Sequence, residues 1–179
     1  MRLLWGTIKL FIYIVLILAL HIFIVNFLSF PFNHINIIAS LFLLLLTVST
    51  NKRVLWLALI ISYFSELFSS VPFGIATAAL LTSLLIINWF QMNILTNRSV
   101  YMIFLSAILG IALYRIIFIF LLAAYNYFFN LPNLPYKEIM ADAGWEIMLS
   151  SIALFVLYFL DAKLLRPLRT PRRSFQLYG

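Results

Sequence analysis

Six long apolar runs, separated by short polar breaks, dominate the amino-acid sequence. A helix needs roughly 20 apolar residues to cross the hydrocarbon core of a bilayer, so six spans would use about 120 residues. The rest of a 179-residue chain is too short for a folded soluble domain or a long catalytic loop. We therefore expect one integral membrane domain, an all-α, polytopic bundle of six transmembrane helices. The predicted spans are 8–30, 35–50, 54–70, 73–91, 99–127 and 145–165, followed by a basic tail at 166–179.

The composition agrees with a membrane protein and excludes a soluble one. The chain is 65% hydrophobic and 9% charged, whereas soluble domains are about 45–50% apolar and about 25% charged. Its net charge of +7 comes from scattered basic residues, so we expect membrane lipids rather than nucleic acid as partners. The absence of cysteine excludes disulfides and thiolate nucleophiles.

The basic residues also predict an orientation, because Lys and Arg concentrate on the cytoplasmic side of membrane proteins. With six spans, ten of the twelve basic residues fall on one side, Lys137 falls on the other, and Arg115 lies within a span. We expect a multi-pass membrane protein with both termini in the cytoplasm and the 128–144 loop outside. The ten residues are Arg2, Lys9, Lys52, Arg53, Arg98, Lys163, Arg166, Arg169, Arg172 and Arg173.

Four charged residues are candidates for positions at bilayer depth, and one of them, Asp161, is close enough to the inner end of the sixth span to be solvated. Arg115 is near the middle of the fifth span, Glu66 is one turn inside the outer end of the third, and Glu146 opens the sixth. A charge at this depth costs about 2.5–3.5 kcal/mol on the insertion scale, so each requires a partner. We expect Arg115 to pair with Glu66, with Glu146 as the second choice. Such a pair either fixes helix packing or takes part in function.

The sequence lacks the residue patterns of intramembrane enzymes. His21 and His34 are the only histidines and lie in different regions, so a metal site is not expected. Asp142 and Asp161 would be roughly 28 Å apart along a continuous helix, too far for paired-carboxylate chemistry. No G-x-S-x-G motif is present. We predict a protein that is not an enzyme and uses no cofactor or metal.

One segment between the third and fourth predicted spans contains a more specific sequence motif than the apolar runs. Glu66 precedes the tripeptide Pro72-Phe73-Gly74 by six positions. We expect Glu66 to end a short helix, Pro72 to occupy the first positions of the next helix, and Gly74 to allow close helix approach. The simplest interpretation is a membrane hairpin with suitable turn residues.

This segment, with the chain length and hydropathy profile, resembles the MreD family of rod-shape-determining membrane proteins. That family has five or six predicted spans, cytoplasmic termini and an acidic-x5-Pro-x-Gly segment between two central spans. The family usually has Asp where this chain has Glu66, and often Gly where Ser69 and Ser70 stand. At motif level the resemblance covers only Glu66 to Gly74.

The resemblance implies a non-enzymatic scaffold of the cell-wall elongation (rod-shape) complex, located in the bacterial cytoplasmic (inner) membrane. Such a scaffold binds a bitopic coiled-coil partner of the MreC type and is linked to a cell-wall glycosyltransferase and transpeptidase. The implied fold is similar to the substrate-binding subunits of energy-coupling-factor transporters, which supplies the alternative of a subunit that binds a vitamin-like small molecule. Those subunits dock through Ala-x-x-x-Ala on the first helix, whereas Ala19 stands alone here and polar cavity-lining residues are sparse.

A scaffold needs surfaces for its partner. The 128–144 loop and the 66–74 hairpin are the predicted outer surfaces, and a lateral groove of small residues is the alternative. The candidate partner-binding or structural residues are Glu66, Pro72, Gly74, Arg115 and Glu146, and the groove residues are Ala76, Ala78, Ala79 and Gly110.

Overall fold

The computed structural model describes residues 2–48, 53–69, 71–94, 100–129 and 136–160, so the predicted basic tail lies outside the described residues. Within these ranges the chain is all helical, and the prediction of a six-helix, all-α architecture is confirmed. A short 3₁₀ helix, Phe32–His34, connects the first two helices. The helices are α1 (Arg2–Phe27), α2 (Ile37–Val48), α3 (Arg53–Glu66), α4 (Ile75–Asn93), α5 (Val100–Phe129) and α6 (Tyr136–Leu160).

The start of α6 differs most from the prediction. The helix begins at Tyr136 rather than at residue 145, so the predicted 128–144 loop is wrong in extent. Its first turns contain Lys137, Glu138 and Asp142. These residues lower the local hydropathy without breaking a helix, because only Pro and Gly strongly oppose helix formation. The prediction took the start of the helix from the start of the apolar run, and it therefore underestimated the length of α6.

The short helix α2 is the centre of the bundle and contacts each of the other five helices. Ala39 and Leu43 on this helix are fully buried, and Phe42 is 1% exposed. Its 12 residues extend about 18 Å, less than the roughly 30 Å of a hydrocarbon core. Neighbouring helices surround most of α2, although Leu45 is 37% exposed.

The outside of the bundle is apolar and part of its interior is polar. Trp56 and Phe120 are each 70% exposed, while Ser40, Ser83 and Ser150 are completely buried. A soluble protein rarely exposes large continuous apolar patches, whereas a lipid-facing surface requires them. Three helices are long and apolar enough to cross a membrane, namely Ile75–Asn93, Tyr101–Phe129 and Lys137–Phe159. These features are those of a membrane protein.

Gly110 allows close packing of α5 against α2. A Cβ atom built at Gly110 would clash with the Leu43 side chain, which is itself fully buried and has little room to move. Ala79 is also fully buried. Two of the four predicted groove residues are therefore used inside the bundle, and the predicted lateral groove for a partner helix is wrong at these positions.

The two glycines of α5 and α6 provide a matched test of this packing. We expect Gly110→Ala to lower the free energy of unfolding by about 1–3 kcal/mol, because it overpacks the contact with Leu43. Gly144→Ala should leave stability unchanged or raise it by about 0.5–1 kcal/mol, because an added Cβ there meets no atom within 4 Å. Unfolding of both variants in the same detergent measures the difference, and equal effects would contradict the packing role of Gly110.

Candidate functional site

An ion pair joins α5 to α6 in the interior of the bundle. Arg115 Nη1 lies 2.9 Å from Glu146 Oε2, and the two side chains are 14% and 9% exposed. Breaking a buried pair by removing one partner typically costs about 3–5 kcal/mol, because the other charge is left uncompensated. The structure thus forms the second of the two predicted pairings. The first choice, Arg115 with Glu66, is wrong.

Depth alone leaves both carboxylates within reach of Arg115, because Glu66 and Glu146 are both predicted in the outer half of the membrane. The structure places Glu146 more than two turns after the start of α6 at Tyr136. There it reaches Arg115 on α5, while Glu66 binds other donors.

Asn36 extends the ion pair to the central helix α2. Its side-chain Nδ2 donates a hydrogen bond to Glu146 Oε1 (3.0 Å), and its Oδ1 accepts one from the backbone N–H of Ala39 (3.0 Å). The latter bond caps the N-terminus of α2. The backbone N–H of Asn36 also donates to Ser150 Oγ on α6 (2.8 Å). Asn36 therefore fixes the start of α2 against the charged pair.

The sequence analysis missed Asn36. Its signal is an asparagine directly before a run of apolar residues, which is the pattern of a helix N-cap. That pattern predicts the bond to Ala39 but not the bond to Glu146, because the second bond depends on how α6 packs.

Glu66 caps the N-terminus of α4. Its Oε2 accepts a hydrogen bond from the backbone N–H of Gly74 (2.8 Å), and its Oε1 accepts one from that of Thr77 (2.7 Å). The first N–H groups of a helix have no partner within the helix, and a negative charge near them is favourable. Glu66 is 4% exposed, so this carboxylate closes the α3–α4 hairpin from inside the bundle.

These bonds explain the spacing of Glu66, Pro72 and Gly74. Glu66 is the last residue of α3, as predicted. Gly74 is the N-cap of α4 with φ of 92°, a conformation that glycine adopts more easily than other residues. A Cβ there would meet no atom within 4 Å, so Gly74 supplies backbone conformation rather than close helix approach. Pro72 lies before α4, not in its first turn as predicted.

Arg115 and Glu66 line a common cavity of about 190 Å³, although they do not bond to each other. Two buried nitrogen atoms of lining residues, His21 Nδ1 and Arg115 Nε, have no hydrogen-bond partner. The expectation of sparse polar lining residues is wrong for this cavity. Its other polar lining residues are Asn36, Ser62, Ser65, Ser69 and Tyr114.

Neither a search for metal sites nor comparison with known proteins assigns a function to this site. Among the residues that the structure describes, no group of three or more His, Asp or Glu side chains is arranged to hold a metal ion. No protein-family model, curated protein or solved structure matches the chain. The fold and site define a class, an α-helical membrane protein with a buried ion-pair network and a polar cavity. Membership of the MreD family stays a prediction.

The two functions of Asn36 can be separated by substitution. Asn and Asp are equally good N-caps, so a residue that only caps α2 would tolerate Asn36→Asp. We expect Asn36→Asp to destabilise the protein at least as much as Asn36→Ala, because it removes the donor to Glu146 and places a second carboxylate beside it. Thermal unfolding in detergent measures both. An Asp variant as stable as the wild type would contradict the link to Glu146.

The capping role of Glu66 also makes a prediction. Glu66→Gln keeps one acceptor oxygen but replaces the other with an NH₂ group, so one backbone N–H near the start of α4 loses its partner. We expect a loss of about 1–3 kcal/mol in the free energy of unfolding. Glu138→Gln is the control, because Glu138 lies in the first turn of α6 but is exposed. Its loss should stay below about 1 kcal/mol, and equal losses would contradict the buried cap.

Proposed function

We propose that the protein is a non-enzymatic, multi-pass scaffold of the bacterial cytoplasmic membrane that acts in the cell-wall elongation (rod-shape) complex. Its direct partner is a single-pass coiled-coil protein of the MreC type, with a cell-wall glycosyltransferase and transpeptidase as further members. The observation that carries this proposal is the α3–α4 hairpin. The segment with the MreD resemblance, Glu66 to Gly74, contains its buried cap.

The hairpin supports a docking role because it combines a fixed base with an apolar outside. Glu66 points inward and binds the start of α4, while Leu67, Phe68 and Phe73 are 58%, 66% and 53% exposed. A helix in a membrane associates with others mainly through close packing. A preorganised surface loses less conformational entropy when a partner packs on it.

The hydrogen bonding of the acidic residues supports a role without catalysis. Glu66 accepts bonds from backbone N–H groups at a helix end, and Glu146 binds Arg115 and Asn36. Both carboxylates therefore join helices to one another. This use of charge suits a protein that acts through contact with others.

The topology of the proposal can be tested with introduced cysteines, since the natural chain has none. Phe68, at the α3–α4 hairpin, and Met92, near the other end of α4, have matched exposures of 66% and 68%. We expect a membrane-impermeant maleimide to label Phe68→Cys in intact spheroplasts and Met92→Cys only after permeabilisation. Labelling of both from outside, or the reverse pattern, would contradict cytoplasmic termini.

Photo-crosslinking tests the partner. A photoreactive residue at Phe73, on the hairpin, should crosslink a co-expressed MreC-type protein from the same bacterium. The control position is Trp56 near the other end of α3, which is 70% exposed. The proposal fails if Phe73 gives no adduct with the single-pass protein, or if both positions give equal adducts.

The polar cavity favours a second candidate function, a small-molecule-binding subunit of an energy-coupling-factor transporter. Recovery of an ATPase module with the full chain, in place of a single-pass coiled-coil protein, would favour this candidate over the scaffold.

A further inference from the structure

The cavity that Arg115 and Glu66 share has one wall rich in hydrogen-bond acceptors. Ser65 Oγ donates its hydrogen to the carbonyl oxygen of Ser62 (2.8 Å), and Ser62 Oγ donates to Thr77 Oγ1 (3.2 Å). Both hydroxyl oxygens are therefore left as acceptors. Each Glu66 oxygen accepts one backbone hydrogen bond and retains a further acceptor position. This wall favours a group that donates several hydrogen bonds.

Two nitrogen atoms of residues that line the cavity lack a hydrogen-bond partner in the described part of the chain, and they favour an acceptor rather than a donor. The guanidinium of Arg115 is protonated in proteins, so its Nε is always a donor, and this buried atom has no acceptor. His21 Nδ1 is likewise buried without a partner, and in one tautomer it is a donor as well. A buried polar group without a hydrogen-bond partner destabilises the folded protein. These atoms favour an acceptor group such as a carboxylate.

Charge and size narrow the class of occupant. Glu146 compensates Arg115, and the N-terminus of α4 stabilises Glu66, so a molecule with separated charges and no net charge leaves this balance intact. The volume of about 190 Å³ lies below the roughly 300–1,000 Å³ of drug-sized ligand pockets. The occupant is therefore small.

We propose that this cavity binds a small zwitterion of free α-amino-acid size. Its ammonium group faces Glu66 and Ser65, and its carboxylate faces the side chains of Arg115 and His21, which line the cavity. This inference rests on the second candidate function, for which it names the ligand class, and is independent of the scaffold proposal.

Binding to the purified full chain in lipid nanodiscs tests the inference. The probes are glycine, L-alanine, L-serine and L-valine at millimolar concentrations, measured by calorimetry and by the shift in unfolding temperature. We expect at least one to bind saturably. Its N-acetyl derivative, which lacks the ammonium, and its amide, which lacks the carboxylate, should bind about tenfold more weakly or not at all. Failure of all four probes, or equal binding of the derivatives, would overturn the proposal.

A pair of substitutions on α4 tests the location. Ala76 lines the cavity, whereas Ala78 is exposed on the same helix. Ala76→Leu should weaken binding of the best probe by about tenfold or more, and Ala78→Leu should bind like the wild type. Ser65→Val, on the acceptor wall, should also weaken binding and replaces Ala76→Leu if that variant does not fold. Unchanged binding in the variant that folds would overturn the location.

The binding measurements test the ligand class independently of the transporter function. Because the measurement needs no ATPase, recovery of an ATPase module without zwitterion binding would overturn only the ligand class. Zwitterion binding without such a module would support the cavity site and reject the transporter function.

Discussion

A charged side chain in a helical bundle with an apolar exterior requires a compensating partner, and Arg115 finds one in Glu146 at 2.9 Å. This pair determines much of the arrangement around it. It joins α5 to α6, and through the bond from Asn36 to Glu146 it also sets where α2 begins. Because α2 contacts every other helix, the ion pair and its amide partner position the centre of the bundle.

Glu66 is also a buried charge that requires a partner, but its partner is of another kind. It accepts hydrogen bonds from backbone N–H groups at the start of α4 and does not pair with a basic side chain among the described residues. The unpaired N–H groups of a helix end and the charge of a carboxylate stabilise each other. The two buried glutamates thus connect helices at different places, one across α5 and α6 and one across the α3–α4 hairpin. Glu66 and Arg115 both line the cavity, and two nitrogen atoms of its lining residues, His21 Nδ1 and Arg115 Nε, have no hydrogen-bond partner within the ranges that the structure describes.

The sequence predicted features that depend on residues close along the chain, such as the helices. It failed for contacts that depend on how the helices pack together. Apolar runs located all six helices, and Glu66 was correctly placed at the end of α3. The start of α6 was missed because polar residues in its first turns resemble a loop in hydropathy. The partner of Arg115 was not decided by depth, because the sequence placed Glu66 and Glu146 in the same half of the membrane and only the packing of α5 against α6 selects Glu146. The role of Asn36 at Glu146 was not predictable either, because it joins residues 110 positions apart.

A double-mutant cycle on Arg115 and Glu146 tests the central claim most directly. The free energy of unfolding is measured in one detergent for the wild type, Arg115→Met, Glu146→Gln and the double variant. Each single change should cost about 3–5 kcal/mol, because it leaves a buried charge uncompensated. The double variant should be more stable than the sum of the single losses predicts, with a coupling of about 0.5–3 kcal/mol. Strictly additive losses would contradict the claim that this pair organises the bundle.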